Sequence, residues 1–185
     1  MKSIITTISA EITEVLSNVD ELEAVHLSEK IQNAKRIFVS GTGRSGLIGK
    51  VFAMRLMQGG YPVYVVGETI TPSISSDDLL IVISGSGSTG SLLQFGTKAK
   101  EVGADLFLVT TNPNSQIADL SDGCLVIRAA TKHRKPEEPE TIQPLGSQFD
   151  QSAHLILDAI VVHLLKNEKD GHETNQLNQR HANLE

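Results

Sequence analysis

The chain has 185 residues, a formal net charge of −6 and a single cysteine. This length suits one domain with a sizeable core, and one cysteine excludes an internal disulfide. The acidic balance argues against nucleic-acid and membrane partners, and no apolar run approaches the ~20 residues that span a bilayer. The six histidines are scattered, which predicts no metal site, and the absence of a signal peptide predicts a cytoplasmic location.

Two amphipathic helices come first in the predicted order of elements. Residues 1–18 carry apolar side chains at helical spacing. Asp20 and Glu23 predict a capping box at the start of a second helix that runs to about Asn33. Short apolar strands then alternate with helices as far as a long last helix. The strands are predicted at residues 37–39, 61–66, 79–83, 104–110 and 124–128, and the later helices at about 45–58, 92–102, 117–120 and 146–166.

This alternation predicts the fold class. Strands that are apolar throughout and separated by helices indicate a parallel sheet covered on both faces. We therefore expect a single doubly wound α/β domain with about five strands. It divides into N-terminal helices at 1–34, an α/β core at 35–166 and a polar tail at 167–185 with room for one short helix. In such folds, ligands bind beyond the carboxyl ends of the strands.

A turn rich in serine and glycine follows the strand 79–83 and precedes a predicted helix. Helix N-termini present unpaired N–H groups, glycines allow close approach, and hydroxyls add donors for a phosphate. The turn has no lysine and lacks the spacing of a nucleoside-triphosphate P-loop. It therefore predicts a site for a small phosphate ester, with a flexible surface turn as the alternative. The candidate binding residues are Ser84, Gly85, Ser86, Gly87, Ser88 and Thr89.

A second glycine turn follows the first core strand. Residues 41–46 match the pattern G-x-G-x-x-G of dinucleotide-binding proteins, and Glu68 could be the acidic residue expected about 20 positions later. Two observations count against a dinucleotide-binding protein. Glu68 lies later in the sequence than that acidic residue should, and the single pyrophosphate of a dinucleotide would leave the serine-rich turn without a ligand. The same turn suits a phosphate or sugar hydroxyls directly, although Arg44 could equally be a solvated residue at a helix start. The candidate binding residues are Ser40, Gly41, Gly43, Arg44 and Ser45.

Five segments together resemble the 6-phospho-3-hexuloisomerase family of sugar-isomerase (SIS) domain proteins. They are Ser40 to Gly46, the loop Gly67-Glu68 with Thr71-Pro72, the serine-rich turn, Gln143 to Ser147 and His181 to Glu185. The resemblance covers the chain from its N-terminal helices to its last residue. It implies a SIS domain of flavodoxin-like fold, interconversion of D-arabino-hex-3-ulose 6-phosphate and D-fructose 6-phosphate, no cofactor, and a homotetramer built as a dimer of dimers.

The resemblance also implies roles for individual residues. The residues that would hold the phosphate, together with their backbone amides, are Ser45, Ser84, Ser86 and Thr89. The family's base is a glutamate after Pro-x-Gly-Ser-x-Phe, and Asp150 stands at that position with a side chain one methylene shorter. Glu68 is the second candidate for the base. Alternatively, Asp150 favours only the first turn of its helix, where the dipole stabilises a negative charge.

Two further positions bear on substrate and catalysis. Ser88 stands where the family usually has glutamate, which removes a negative charge beside the phosphate. Together, Ser88 and Asp150 leave a different sugar phosphate open as the substrate. His181 lies in the polar tail, where a histidine is usually solvated and idle. The resemblance of the last five residues to the family implies instead that the tail folds over an active site, either its own or that of a neighbouring subunit. There His181 could transfer protons at substrate oxygens.

Three functions are therefore compared. A cofactor-free ketose-phosphate isomerase leads. A SIS module that senses a sugar phosphate without converting it is the second, and the absence of an attached DNA-binding segment counts against it. A nicotinamide-dependent oxidoreductase is the third, and it depends on the G-x-G-x-x-G turn alone.

Overall fold

The computed structural model describes residues 1–167 and 174–184, and strands alternate with helices through them. The elements are α1 (Lys2–Ser17), α2 (Glu21–Asn33), β1 (Ile37–Gly41), α3 (Gly43–Gln58), β2 (Val63–Val65), β3 (Leu79–Ile83), α4 (Gly90–Glu101), β4 (Asp105–Thr110), α5 (Gln116–Leu120), β5 (Gly123–Val126), α6 (Ser147–Asn167) and α7 (Thr174–Gln179). Each predicted strand and helix is confirmed, with boundaries shifted by a few residues. The short helix that the sequence allows in the tail is α7.

The five strands form one parallel sheet in the order β2-β1-β3-β4-β5. The predicted doubly wound architecture is therefore confirmed. In this order the chain reverses its direction of winding between β1 and β3, which is where ligands bind in such folds. Gly41 pairs with Ile83 at the ends of these two strands. The two glycine turns that follow them consequently lie side by side.

Helices cover both faces of the sheet and create two apolar cores. On one face, α1, α2, α3 and α6 pack around side chains such as Phe52 and Ile160. On the other, α4 and α5 bring Leu92 and Ile117 against Phe38 and its neighbours. The strands thus bury both faces, which explains their unbroken apolar sequence. Among the helices that the structure describes, none is both long enough and apolar enough to span a bilayer.

The start of α2 differs from the expected capping box. Asp20 caps the helix as expected, because its carboxylate accepts a hydrogen bond from the Leu22 amide at 2.9 Å. Glu23 does not complete the box. Its Oε2 instead accepts a hydrogen bond from the Val126 amide at 2.7 Å. The prediction was wrong for Glu23 because a helix carboxylate can bond an unpaired amide of a neighbouring strand, which local sequence does not reveal.

The described part of the tail lies against the carboxyl end of α3. Arg180 Nη1 donates a hydrogen bond to the Gln58 carbonyl at 3.4 Å. Gly60 has φ 92°, and a Cβ there would lie 2.7 Å from Arg180 Nη1. Since α3 has 16 residues and a helix rises about 1.5 Å per residue, this contact lies about 24 Å from the start of α3. The Arg180 side chain therefore lies at the edge of the sheet where the strands begin.

Candidate functional site

A cavity of about 190 Å³ opens at the edge where the strands end. The serine-rich turn, the first turns of α3 and α6, and the loop between β5 and α6 enclose it. Its lining residues are Ser45, Gly85, Ser86, Thr131, Lys132, His133, Leu145, Gly146, Phe149 and Asp150. The fold thus brings Ser45, Ser86 and Asp150 together from three distant parts of the sequence. This is the edge that the parallel-sheet rule predicts for a ligand.

The serine-rich turn is fixed to the neighbouring strand. The Gly85 carbonyl accepts hydrogen bonds from the Thr110 hydroxyl at 3.1 Å and the Thr111 hydroxyl at 2.8 Å. Gly87 has φ 62°, and a Cβ there would lie only 2.0 Å from Ser115 Oγ, so this position requires glycine. These contacts argue against a flexible surface turn and give the turn a defined shape before any ligand binds.

The hydroxyls of this turn have different surroundings. Ser84 is buried, and its Oγ accepts a hydrogen bond from the Gly87 amide at 3.2 Å, so it supports the turn from within. Ser86 lines the cavity. Ser88 is exposed, whereas Thr89 is half-buried at the N-cap of α4 and its side chain makes no capping hydrogen bond. Ser86 is therefore the turn's hydroxyl best placed toward the cavity.

Asp150 is the buried acid of the cavity, with only 4 % of its surface exposed. It lies in the first turn of α6, and its Oδ1 accepts a hydrogen bond from Ser45 Oγ at 2.7 Å. Arg44 Nε lies 3.5 Å from its Oδ2. Burial raises the pKa of Asp150 above its ordinary value, and the Ser45 hydrogen bond and the Arg44 charge offset only part of this effect. A carboxyl group in this state suits a general base.

The first glycine turn packs the start of α3 closely against β1. A Cβ at Gly46 would lie 2.7 Å from the Gly41 carbonyl oxygen, so these two glycines allow α3 to approach β1 closely. Gly43 has φ 58°, which favours glycine at the start of the helix. Ser40, Gly41 and Gly43 line a second depression of about 200 Å³, on the side of β2. None of these three residues lines the cavity that contains Asp150.

Two other candidate residues lie away from the cavity within this chain. Glu68 is exposed in the loop after β2, and its Oε1 accepts a hydrogen bond from Lys50 Nζ at 2.6 Å. His181 is exposed in the tail, where its Nδ1 lies 3.1 Å from the Ala182 carbonyl oxygen. Arg180, next to it, contacts the opposite edge of the sheet. Within residues 1–167 and 174–184, no group of three or more His, Cys, Asp or Glu side chains could hold a metal ion.

Sequence reasoning missed one wall of the cavity. The segment Lys132–Glu140 reads as a charged, proline-containing loop, yet Thr131, Lys132 and His133 line the cavity. A usable signal was its position in the chain. This loop follows β5, so its first residues must leave the sheet at the same edge as the two glycine turns.

Comparisons with known proteins agree with this geometry. The SIS domain family model matches residues 30–142. The 3-hexulose-6-phosphate isomerase of Bacillus subtilis is 39 % identical over 95 % of this chain and 96 % of its own length. The 3-hexulose-6-phosphate isomerase of Mycobacterium gastri is also 39 % identical, over 95 % of this chain and 86 % of its own. A crystal structure from Methanococcus jannaschii, from which a 3-hexulose-6-phosphate isomerase function is inferred, has a TM-score of 0.84 and 33 % identity, with 98 % of both chains covered.

Proposed function

Because this chain belongs to the 3-hexulose-6-phosphate isomerase family of SIS-domain proteins, we propose that it interconverts D-arabino-hex-3-ulose 6-phosphate and D-fructose 6-phosphate. The observation that carries this proposal is the buried Asp150, which shares one cavity with Ser86 of the serine-rich turn. The reaction needs a base beside C2 and C3 of the sugar and a separate binding site for the phosphate. The cavity offers a candidate for each.

In the proposed mechanism, Asp150 carries one proton between two carbons. It removes the proton from C2 of the 3-ketose, which generates an enediolate across C2 and C3, and it returns the proton to C3. The hydroxyl proton passes from O2 to O3, so the reaction needs no oxidant or reductant. The raised pKa of Asp150 strengthens it as a proton acceptor, and the Ser45 hydrogen bond at 2.7 Å holds the carboxylate in place.

We propose that the phosphate binds at the serine-rich turn and the start of α4. The hydroxyls of Ser86 and Thr89 and the backbone amides of the turn are the donors, and the positive end of the helix dipole adds to them. Ser84 supports the turn through its bond to the Gly87 amide. Binding the phosphate away from the reacting carbons gives orientation without taking part in the chemistry.

We propose that the chain forms a homotetramer, a dimer of dimers, as its resemblance to the family implies. Leu47 and Met57 of α3 are 63 % and 45 % exposed, so this helix offers apolar side chains to a neighbouring subunit. The Arg180 side chain lies at the edge opposite the cavity, so we propose that His181 assists proton transfer in a neighbouring subunit's site. Glu68 remains the second candidate for the base. We place the activity in the cytoplasm and in the ribulose monophosphate pathway.

Mixing two inactive variants tests the shared site. If Asp150 and His181 of one site come from different subunits, refolding Asp150→Asn together with His181→Ala generates sites that contain both native residues. Activity should then exceed that of either variant alone. A mixture no more active than the sum of its parts would contradict the sharing.

The reaction itself is tested with fructose 6-phosphate in D₂O without added cofactor. We expect deuterium to enter C3 of the sugar and the 3-ketose to form. Both changes can be measured by nuclear magnetic resonance. Binding without exchange would instead indicate a sensor. Exchange that depends on added NAD would indicate an oxidoreductase.

A further inference from the structure

The cavity needs positive charge that the serine-rich turn does not supply. A sugar phosphate carries nearly two negative charges at neutral pH, and Asp150 adds a third when ionised. The turn offers hydroxyls and amides but no cationic side chain. Arg44 is directed at Asp150, with its Nε 3.5 Å from Oδ2. A second cation is therefore expected near the ligand.

Lys132, from the loop between β5 and α6, lines the same cavity and carries a cationic side chain. Lys132 is exposed, and it forms no ion pair with any carboxylate in the part of the chain that the structure describes. Two other charged residues of this loop have partners within the loop, and Lys135, Glu137 and Glu140 do not line the cavity. Arg134 binds backbone carbonyls, and Glu138 binds Thr131. The Lys132 ammonium is thus the charge left available to a ligand.

The backbone beside Lys132 is held in a defined conformation. Glu138 accepts hydrogen bonds from the Thr131 amide at 2.8 Å and from the Thr131 hydroxyl at 2.6 Å. The guanidinium of Arg134 donates to the carbonyls of Thr131, Gln143 and Leu145, the last at 2.9 Å. Arg134 therefore joins the two ends of the loop, and both ends border the cavity.

The far end of the loop is anchored to α1 through Glu11. Its carboxylate accepts hydrogen bonds from the Thr141 hydroxyl at 2.5 Å, the Ile142 amide at 2.9 Å and Gln143 Nε2 at 2.9 Å. Burial raises the pKa of Glu11, but these bonds outweigh it and lower the pKa below its usual value. The carboxylate is therefore ionised at neutral pH, and it keeps the loop that carries Lys132 against the site.

We propose that Lys132 binds the phosphate group of the substrate and supplies the positive charge that the serine-rich turn lacks. The proposal rests on the proposed function only in taking a sugar phosphate as the ligand. Lys132 lines the same cavity as Ser86, so its ammonium can reach a phosphate that is bound at the turn. Its removal weakens binding of any phosphate in the cavity and leaves proton transfer at Asp150 intact.

The test compares Lys132→Met with Lys135→Met. Lys135 lies on the same loop and has the same charge, but it does not line the cavity. The dissociation constant of inorganic phosphate is measured by calorimetry, and KM and kcat are measured with fructose 6-phosphate. For Lys132→Met we expect both the phosphate dissociation constant and KM to rise about tenfold, as for loss of a charge-assisted hydrogen bond, with kcat changed less than about twofold. Lys135→Met should change each of these by less than about twofold.

The outcomes separate this proposal from the reaction. If Lys132→Met and Lys135→Met bind phosphate equally well, the role of Lys132 is overturned. A fall in kcat at unchanged KM would also overturn it, because Lys132 would then act at the reacting carbons. If the unchanged protein does not turn over fructose 6-phosphate, the proposed reaction fails. A tenfold loss of inorganic phosphate binding in Lys132→Met alone would still support the phosphate site.

Discussion

Two aspartates are almost fully buried at opposite edges of the sheet, and their surroundings differ. Asp78, 2 % exposed, precedes β3 and accepts hydrogen bonds from Arg36 Nη2 at 2.6 Å, Arg36 Nε at 3.0 Å and the Ser75 amide at 2.7 Å. Asp150, 4 % exposed, accepts one from Ser45 at 2.7 Å and has Arg44 Nε at 3.5 Å. Both carboxyl groups are hidden from solvent, but Asp150 is desolvated more strongly and has fewer hydrogen-bond donors.

The pKa values of the two carboxyl groups shift in opposite directions. Burial raises the pKa of Asp78, but the bonds from Arg36 and Ser75 outweigh it and lower the pKa. For Asp150, burial dominates and the pKa is raised. A carboxylate surrounded by donors is a poor proton acceptor and suits a structural role. A buried carboxyl group with few donors beside a cavity suits proton transfer.

The largest effect on activity is expected from Asp150→Asn. An amide cannot accept the sugar proton, so kcat should fall by about a thousandfold while KM stays within about threefold. Deuterium entry at C3 should fall in parallel. Glu68→Gln is the comparison variant, and it should retain at least about ten times more activity. Survival of activity in Asp150→Asn with its loss in Glu68→Gln would make Glu68 the base.

The stability of Asp150→Asn adds a second readout. Because the folded pKa of Asp150 is raised, its contribution to stability is present at low pH and is lost as the pH rises through that pKa. At neutral pH, Asp150→Asn should therefore unfold at the same temperature as the unchanged protein or a higher one. A lower midpoint would show that the ionised carboxylate stabilises the fold.

Asp78→Asn should have the opposite profile. It leaves Arg36 without its carboxylate, so the free energy of unfolding should fall, while kcat below the melting range stays unchanged. Since the folded pKa of Asp78 is lowered, this stability is present above the unfolded pKa and is lost as the pH falls. The difference in free energy of unfolding between Asp78→Asn and the unchanged protein, measured by urea titration, should therefore become smaller at acidic pH. A difference that grows in acid would be inconsistent with the assignment.

A more moderate effect is expected from removing hydroxyls at the serine-rich turn. Ser86→Ala combined with Thr89→Ala should raise KM about tenfold to thirtyfold, because neutral donors to a phosphate are lost. Initial-rate kinetics measure this, with Ser88→Ala as the control because its side chain is exposed. Unchanged kinetics in the double variant would remove the turn from the phosphate site.

The smallest effect is a shift in pH dependence. Ser45 donates to Asp150 and thereby lowers a pKa that burial has raised. Ser45→Ala should raise that pKa further, so the acidic limb of kcat should move to higher pH. Rates measured across the acidic range check the direction. A limb that moves to lower pH would show that Ser45 does not stabilise the ionised carboxylate.

The sequence was sufficient to predict the sheet and the edge that carries the cavity. The run at 79–83 is apolar throughout, as a strand covered on both faces must be, and its serine-rich turn follows directly. The carboxyl ends of parallel strands share one edge, which placed the two glycine turns together. These inferences use local composition and the rule that the carboxyl ends of parallel strands lie at one edge of the sheet.

The remaining features depend on contacts between distant residues. The hydroxyl of Ser45, which is predicted to hold the phosphate, is bonded to Asp150, 105 positions away in the chain, and the sequence does not reveal this contact. The cavity wall at residues 131–133 depends on hydrogen bonds from Arg134 to three backbone carbonyls. The spacing of residue types in the sequence does not predict such bonds. Glu23 bonds Val126 for the same kind of reason. Local pattern does not specify which partner a side chain finds after folding.

A crystal structure with bound fructose 6-phosphate tests the central claim most directly. The account predicts the phosphate at the serine-rich turn and the C2–C3 bond of the sugar beside the Asp150 carboxylate. A sugar phosphate bound instead in the depression lined by Gly41 and Gly43, with the Asp150 cavity empty, would contradict it.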